Sequence, residues 1–185
     1  MDPIQCGVFF FGVMVEYTFT DDQKILVYNE AHRRQTRNEQ KGRGGRNYAP
    51  SRGSQALGMH LIGCAAEVAV ANYLGLEAHL FKDEDPIRGE PDLPGMIEVK
   101  CRSNHSYDLL IFLDDNPDKN FVLVTAANAK TYIHGWISGH DAMKPEYIKE
   151  YRKNSHSYAV SQNLLRPIAE LKQIVNSASW KMMNL

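Results

Sequence analysis

Glu90-Pro91-Asp92-Leu93-Pro94-Gly95-Met96-Ile97-Glu98-Val99-Lys100-Cys101-Arg102 is the stretch that decides how this chain is read. Asp92 follows a proline, and Pro94-Gly95 supplies a turn. Beyond the turn, apolar Ile97 and Val99 alternate with charged Glu98 and Lys100, the period of a strand with one buried face. Glu98 and Lys100 then share one face and the two aliphatics the other. A turn that folds the segment back brings Asp92 beside Glu98. The expected product is two carboxylates and an amine on neighbouring strands. Such a group can hold a hard divalent cation and position a water, and metal-assisted phosphodiester hydrolysis needs both. The competing reading of the same residues is a surface hairpin whose exposed face carries a salt-bridged Glu and Lys.

A third carboxylate lies upstream. From Ser54 to Leu74 the apolar residues Leu57, Leu61, Cys64, Val68, Ala71 and Leu74 fall at helical spacing, and Gly75 is placed to end the helix. Glu67 is the only charged residue in that run. A helix that is small or apolar nearly all round is expected to be buried on most of its surface. An ionisable side chain on it is costly unless a cation or partner compensates it.

Pro91-Asp92 followed by Glu98-Val99-Lys100 resembles the PD-(D/E)XK signature of the restriction-endonuclease-like nucleases, and many of these carry an acid on the helix before the core strands, as Glu67 is here. The resemblance implies a central mixed β-sheet flanked by helices, with Glu67, Asp92, Glu98 and Lys100 as the catalytic group. Asp92 and Glu98 would coordinate Mg²⁺ or Mn²⁺, with the Val99 carbonyl and Glu67 as further ligands, and Lys100 would orient or help deprotonate the attacking water. In this chain the gap from Asp92 to Glu98 is short, so the hairpin must be tight. Strands rather than a crossover helix are expected after Lys100, giving a β-rich second half.

The stretches Asn120–Thr125, Gly135–Ala142, Pro145-Glu146 and Tyr158–Gln162 also resemble a set of bacteriophage proteins of no assigned function. With the helix and motif, that resemblance covers most of residues 20–170, and it bears on the fold more than on activity.

Charge distribution says more than the net charge of −1. Residues 32–52 hold Arg33, Arg34, Arg37, Lys41, Arg43, Arg46 and Arg52 against a single acid, Glu39, whereas residues 83–118 are predominantly acidic. A basic arm beside an acidic face suits an enzyme acting on a polyanion. Arg33, Arg34, Arg37, Lys41, Arg43 and Arg46, with Arg102 beyond the motif, are therefore the expected contacts to DNA, and His105 is a further candidate near phosphate. A solvated linker is the plain alternative for the basic segment.

The expected organisation is an N-terminal helix and basic arm over 1–52 and a nuclease-like domain over 53–185, one globular body in all. The first helix begins at Thr20-Asp21-Asp22 and runs to about Gln40. Strands are expected at 76–81, 87–93, 96–102, 107–113, 120–126, 131–138 and 157–160, and helices at 139–143, 144–153 and 163–178. Cys6, Cys64 and Cys101 are odd in number and lack a CxxC, which predicts reduced thiols in a cytoplasmic protein, in the host cell if phage-encoded. The seven histidines lack zinc-site spacing. The apolar run Cys6–Val15 is too short to span a bilayer, Asp2 stands where a signal peptide needs a basic residue, and Met14 offers a second start. Membrane partners are not expected, and oligomeric state is left open, a homodimer among the options.

Two functions remain. One is a metal-dependent deoxyribonuclease. The other is a non-catalytic nucleic-acid-binding or virion-associated phage protein that retains the fold. A third, plainer reading is a phage structural protein unrelated to nucleases.

Overall fold

The computed structural model describes residues 14–41, 54–81, 89–152 and 155–177. These build a mixed α/β protein with two sheets and four helices. Helix α1 spans Asp21–Gln40. It starts where Thr20 and Gln23 form a capping box, each side chain bonded to the other's backbone N–H. Helix α2 spans Ser54–Leu74. Gly75, at φ +77°, ends it, and the Leu76 N–H reaches back 2.8 Å to the Ala71 carbonyl. Val27 and Ala31 of α1 pack on Cys64 and Val68 of α2. By length and composition α2 could cross a bilayer, but here its Ala66, Ala69, Val70 and Leu74 form the floor of the main core.

The first sheet runs β1-β5-β4-β2, built from Val15–Tyr17 (β1), Ile97–Arg102 (β2), Asn120–Ala127 (β4) and Lys130–Ser138 (β5). β2 lies parallel to β4, and the other pairs are antiparallel. The second sheet, β3-β7-β6, is antiparallel throughout: Leu109–Phe112 (β3), Ile148–Arg152 (β6) and Ser155–Val160 (β7). β4 explains the layering. Its Val122 and Val124 join the α2 core together with Ile97 and Ile133, while Phe121 and Leu123 meet Leu109, Ile111 and Val160 of the second sheet. Both faces of β4 are thus buried, and the first sheet is the middle layer. Helices α3 (Gly139–Ala142) and α4 (Ile168–Asn176) complete the fold, α4 closing the helical side through Ile168, Leu171 and Val175.

Several expectations need correction. A single central sheet was expected, and there are two. Residues 76–81 hold a 3-10 turn at Glu77–His79 rather than a strand. Over 144–153 the expected helix is replaced by a 3-10 turn at Pro145–Tyr147 and then strand β6. Pro145 starts that turn, and the β-forming Tyr147, Ile148 and Tyr151 outweigh the charged residues between them. The last helix begins five residues late. Arg166 precedes Pro167, is held extended, and exchanges both backbone bonds with Trp136 at 2.8 and 2.9 Å. Of the strand expected at 87–93, only Leu93 pairs among the described residues, in an isolated bridge to Ile97. β1 was not anticipated, because three residues are too few for a period to show. Arg43, Arg46 and Cys6 lie outside the described residues.

Candidate active site

β2 is the edge strand of its sheet. The chain arriving at it makes the tight hairpin that the short gap requires. Leu93 and Ile97 exchange both backbone bonds, at 3.0 and 3.3 Å, across a loop in which Gly95 (φ +74°) and Met96 (φ +58°) turn left-handed. That register sets Asp92 opposite Glu98. Asp92 accepts a 2.7 Å bond from the Val99 N–H, which points out of the sheet's free edge. A residue's N–H and C=O leave a strand on the same side, so the Val99 carbonyl also faces this edge.

Val99 and Cys101 pack toward α2, which puts Glu98 and Lys100 on the face toward the second sheet. Lys100 Nζ lies 3.0 Å from Glu98 Oε1 and 3.0 Å from Asp115 Oδ2, between the rings of Phe112 and Phe121. Glu98 Oε2 takes a 2.6 Å bond from Lys119, a lysine that is only 3% exposed. Both carboxylate neighbours hold the Lys100 ammonium above its usual range against the opposing effect of burial. It is therefore a fixed cation, suited to orienting a water or stabilising charge and not to removing a proton.

Glu67 comes in from α2, buried, with both oxygens bonded to the Arg34 guanidinium at 2.7 Å. Arg34 also reaches Glu30, which holds Arg33 as well. Burial works against the Arg34 charge, but Glu67 and Glu30 raise its pKa further above the usual value. Such a fork-on-fork pair fixes orientation as well as charge.

Asp92 differs from these carboxylates. Glu67, Glu98 and Asp115 each have a cation within bonding reach, whereas among the described residues Asp92 has no ion pair and bonds only the Val99 N–H. Its outer side is open to solvent, while its inner side lies against the edge of β2. Its pKa is pushed upward by lost hydration first, then by the negative charges of Glu67 and Glu98; the Val99 N–H and Lys100 oppose the rise. Water within reach of the open side limits the size of that rise, and the direction follows from the two flanking carboxylates.

Of the four residues named from the sequence, Asp92 bonds the free edge of β2, Glu98 and Lys100 pair on the face toward the second sheet, and Glu67 lies on the helical side bonded to Arg34; among the described residues no three His, Cys, Asp or Glu side chains are grouped as a metal-holding set. Asp115 and Lys119 were missed. Asp115 falls between the strands expected at 107–113 and 120–126, and nothing in the sequence separates a buried lysine before a strand from an exposed one. Among the expected DNA contacts, Arg33 and Arg34 are turned inward to Glu30 and Glu67, and Arg37 and Lys41 lie at the end of α1. Arg102 lies on β2 itself. His105 points its Nδ1 to Thr125 Oγ1 at 2.7 Å, away from the carboxylates. Comparison of the chain with family models, curated proteins and solved structures returned no match.

Proposed function

We propose that this chain is a metal-dependent deoxyribonuclease of PD-(D/E)XK type, with a restriction-endonuclease-like arrangement of its motif strand and acid-bearing helix. One observation carries the reading: Asp92, which has no ion pair among the described residues, stands between Glu67 and Glu98 at a strand edge that also presents the Val99 carbonyl and the Lys100 ammonium. The donors suit Mg²⁺ or Mn²⁺, being hard oxygens. Asp92, Glu98 and the Val99 carbonyl would hold the ion. Glu67, committed to Arg34, would act on it through charge or a bridging water. The bound ion supplies a more acidic water and neutralises charge on the phosphate. Lys100 keeps its proton, orients the attacking water and stabilises the negative charge gathering on the phosphoryl oxygens. Lys119 and Asp115 hold Glu98 and Lys100 in place. DNA is the proposed substrate, and a phage-encoded enzyme working in the host cytoplasm is the proposed setting.

The fixed cations favour one alternative. Both oxygens of Glu67 and both of Glu98 already have partners, as they would in a non-catalytic nucleic-acid-binding or virion-associated protein that keeps the fold. Incubation with Mg²⁺ or Mn²⁺ and a pool of duplex, single-stranded and branched DNA decides between them. The proposal expects cutting of at least one substrate, none with Ca²⁺, and none by folded Asp92→Ala or Glu98→Ala protein. Absence of cutting by the wild type under every condition leaves the binding protein.

A further inference from the structure

Beyond Lys100, β2 carries one more cation on the face of Glu98 and Lys100. Arg102 stands two residues further along, about 7 Å at the rise of a strand. Among the described residues its guanidinium makes no ion pair, and its Nε is buried without a hydrogen-bond partner. It lies instead over the ring of Tyr107, 4.9 Å from the centroid. Tyr107 is 44% exposed, so one face of the ring is backed by the cation while the residue stays open to solvent. The carboxylates nearest in sequence are engaged elsewhere, Glu98 with Lys100 and Lys119 and Asp108 with Lys149.

An exposed aromatic on a surface loop is ordinarily mobile. This one is clamped. Gln162 donates from one amide nitrogen to the carbonyls of both His105 and Tyr107, at 2.8 and 2.9 Å. His105 is fixed in turn by Thr125 and by edge contact with the Tyr132 ring at 4.8 Å. The loop also closes on itself where the Tyr107 N–H meets the Asn104 carbonyl. A rigid exposed ring backed by an unpaired guanidinium, one step along the strand from a phosphate-handling lysine, has the parts of a single-strand binding site: a flat surface for a base and a cation for its backbone.

We propose that Tyr107, backed by Arg102, is the stacking site for an unpaired base of a DNA strand laid along β2, which makes single-stranded DNA the substrate class. The direction of the strand past the acidic site rests on the nuclease reading; the stacking site itself does not. A base on Tyr107 sets the backbone near Arg102, and its neighbour then falls toward Lys100 and Asp92. A duplex keeps its bases stacked on one another and offers none to the ring.

The test is run in metal-free buffer with a chelator, so that no cutting enters it. A short fluorescein-labelled oligothymidine is titrated by anisotropy, and a 5-iodouracil-substituted copy is photocrosslinked and mapped by mass spectrometry. Expected are a crosslink at Tyr107, a loss of affinity of roughly 5- to 100-fold in Tyr107→Ala, and near-normal binding in Tyr107→Phe. Arg102→Gln should weaken binding and lower the salt slope by about one phosphate contact. Duplex DNA should be indifferent to Tyr107→Ala. Wild-type affinity in Tyr107→Ala, a crosslink only elsewhere, or no binding of the oligonucleotide overturns the proposal. If the crosslink and affinity changes are found and Mg²⁺ produces no cutting, the stacking site stands and the nuclease reading falls.

Discussion

The two ends of β2 treat polar groups in opposite ways. At its start, Asp92, Glu98 and Lys100 meet Glu67, Asp115 and Lys119, and every group there is built to carry charge. Beside its far end, Thr125 Oγ1 sits 2.7 Å from both His105 Nδ1 and His134 Nε2, a chain in which one hydroxyl can donate to one ring and accept from the other while both remain neutral. Burial holds His134 below its ordinary pKa, helped by His105 and opposed by Gln162. The neutral chain is complete within the protein. Among the described residues the charged cluster leaves Asp92 without an ion pair, an imbalance that the histidine–threonine chain does not share.

Breaking the charged end at Lys100 should have the largest effect. If the chain is the nuclease proposed, Lys100→Ala removes the cation that meets the phosphate, and the cutting rate should fall on the order of 10²–10⁴-fold while metal binding persists. Single-turnover kinetics at saturating Mg²⁺ measures it, and a change confined to KM would point to a binding role. Next is Glu67→Ala, which takes the partner from both terminal nitrogens of the Arg34 guanidinium and leaves only its Nε bond to Glu30. It should cost about 2–3 kcal/mol in urea unfolding, toward the lower end for a broken buried pair because Arg34 is 30% exposed. Adding Arg34→Met to that variant should restore part of the loss. A smaller loss, about 1–2 kcal/mol, is expected for Thr125→Val, which leaves two imidazole nitrogens without a partner. Single-turnover cutting at saturating DNA should be unaffected, since that chain lies at the other end of the strand, and any loss should fall on single-strand affinity through the His105–Tyr107 loop.

The finest distinction is in pH. Asp92 has a raised pKa in the folded chain, so above the ordinary value of 3.8 the folded protein holds the proton more tightly than the unfolded one, and its contribution to stability falls as pH rises. His134 has a lowered pKa, so below the ordinary 6.5 the unfolded chain takes the proton first, and its contribution is lost as pH falls. Asp92→Asn should flatten the first slope and His134→Gln the second, each leaving the other in place. Urea unfolding across this range resolves them. A common slope change in both variants would mean that the ends of β2 are not electrostatically separate.

How far the sequence could be read follows the same division. The hairpin, β2 and the helix under it were legible because each has a local signal: a proline-glycine turn, strict alternation, and one acid in an apolar helical run. Thr20 announced α1 through its capping residues. What the sequence hid depends on contacts distant in the chain. The Glu67–Arg34 pair joins residues 33 apart, and Lys119 reaches Glu98 from 21 residues away. Arg34 looked like one basic residue among seven, and its inward turn has no local sign. β6 was taken for a helix because its Lys, Glu and Arg mask a strand whose partner, β7, supplies the pairing. The second sheet was invisible for a related reason: alternation shows that a strand has a buried face, and does not show which sheet it joins.

The most direct measurement is the thermal midpoint of wild type and Asp92→Asn at pH 7, with and without Mg²⁺. The account predicts a crossing. Without the ion the variant melts no lower than the wild type, because a carboxyl whose charged form is disfavoured by lost hydration and by Glu67 and Glu98 has been replaced by a neutral amide. As Mg²⁺ is added, the wild type rises with ion concentration and overtakes a variant that does not respond. Parallel curves for the two proteins, or a wild type that is indifferent to Mg²⁺, would contradict the claim that the free edge of β2 is a metal site.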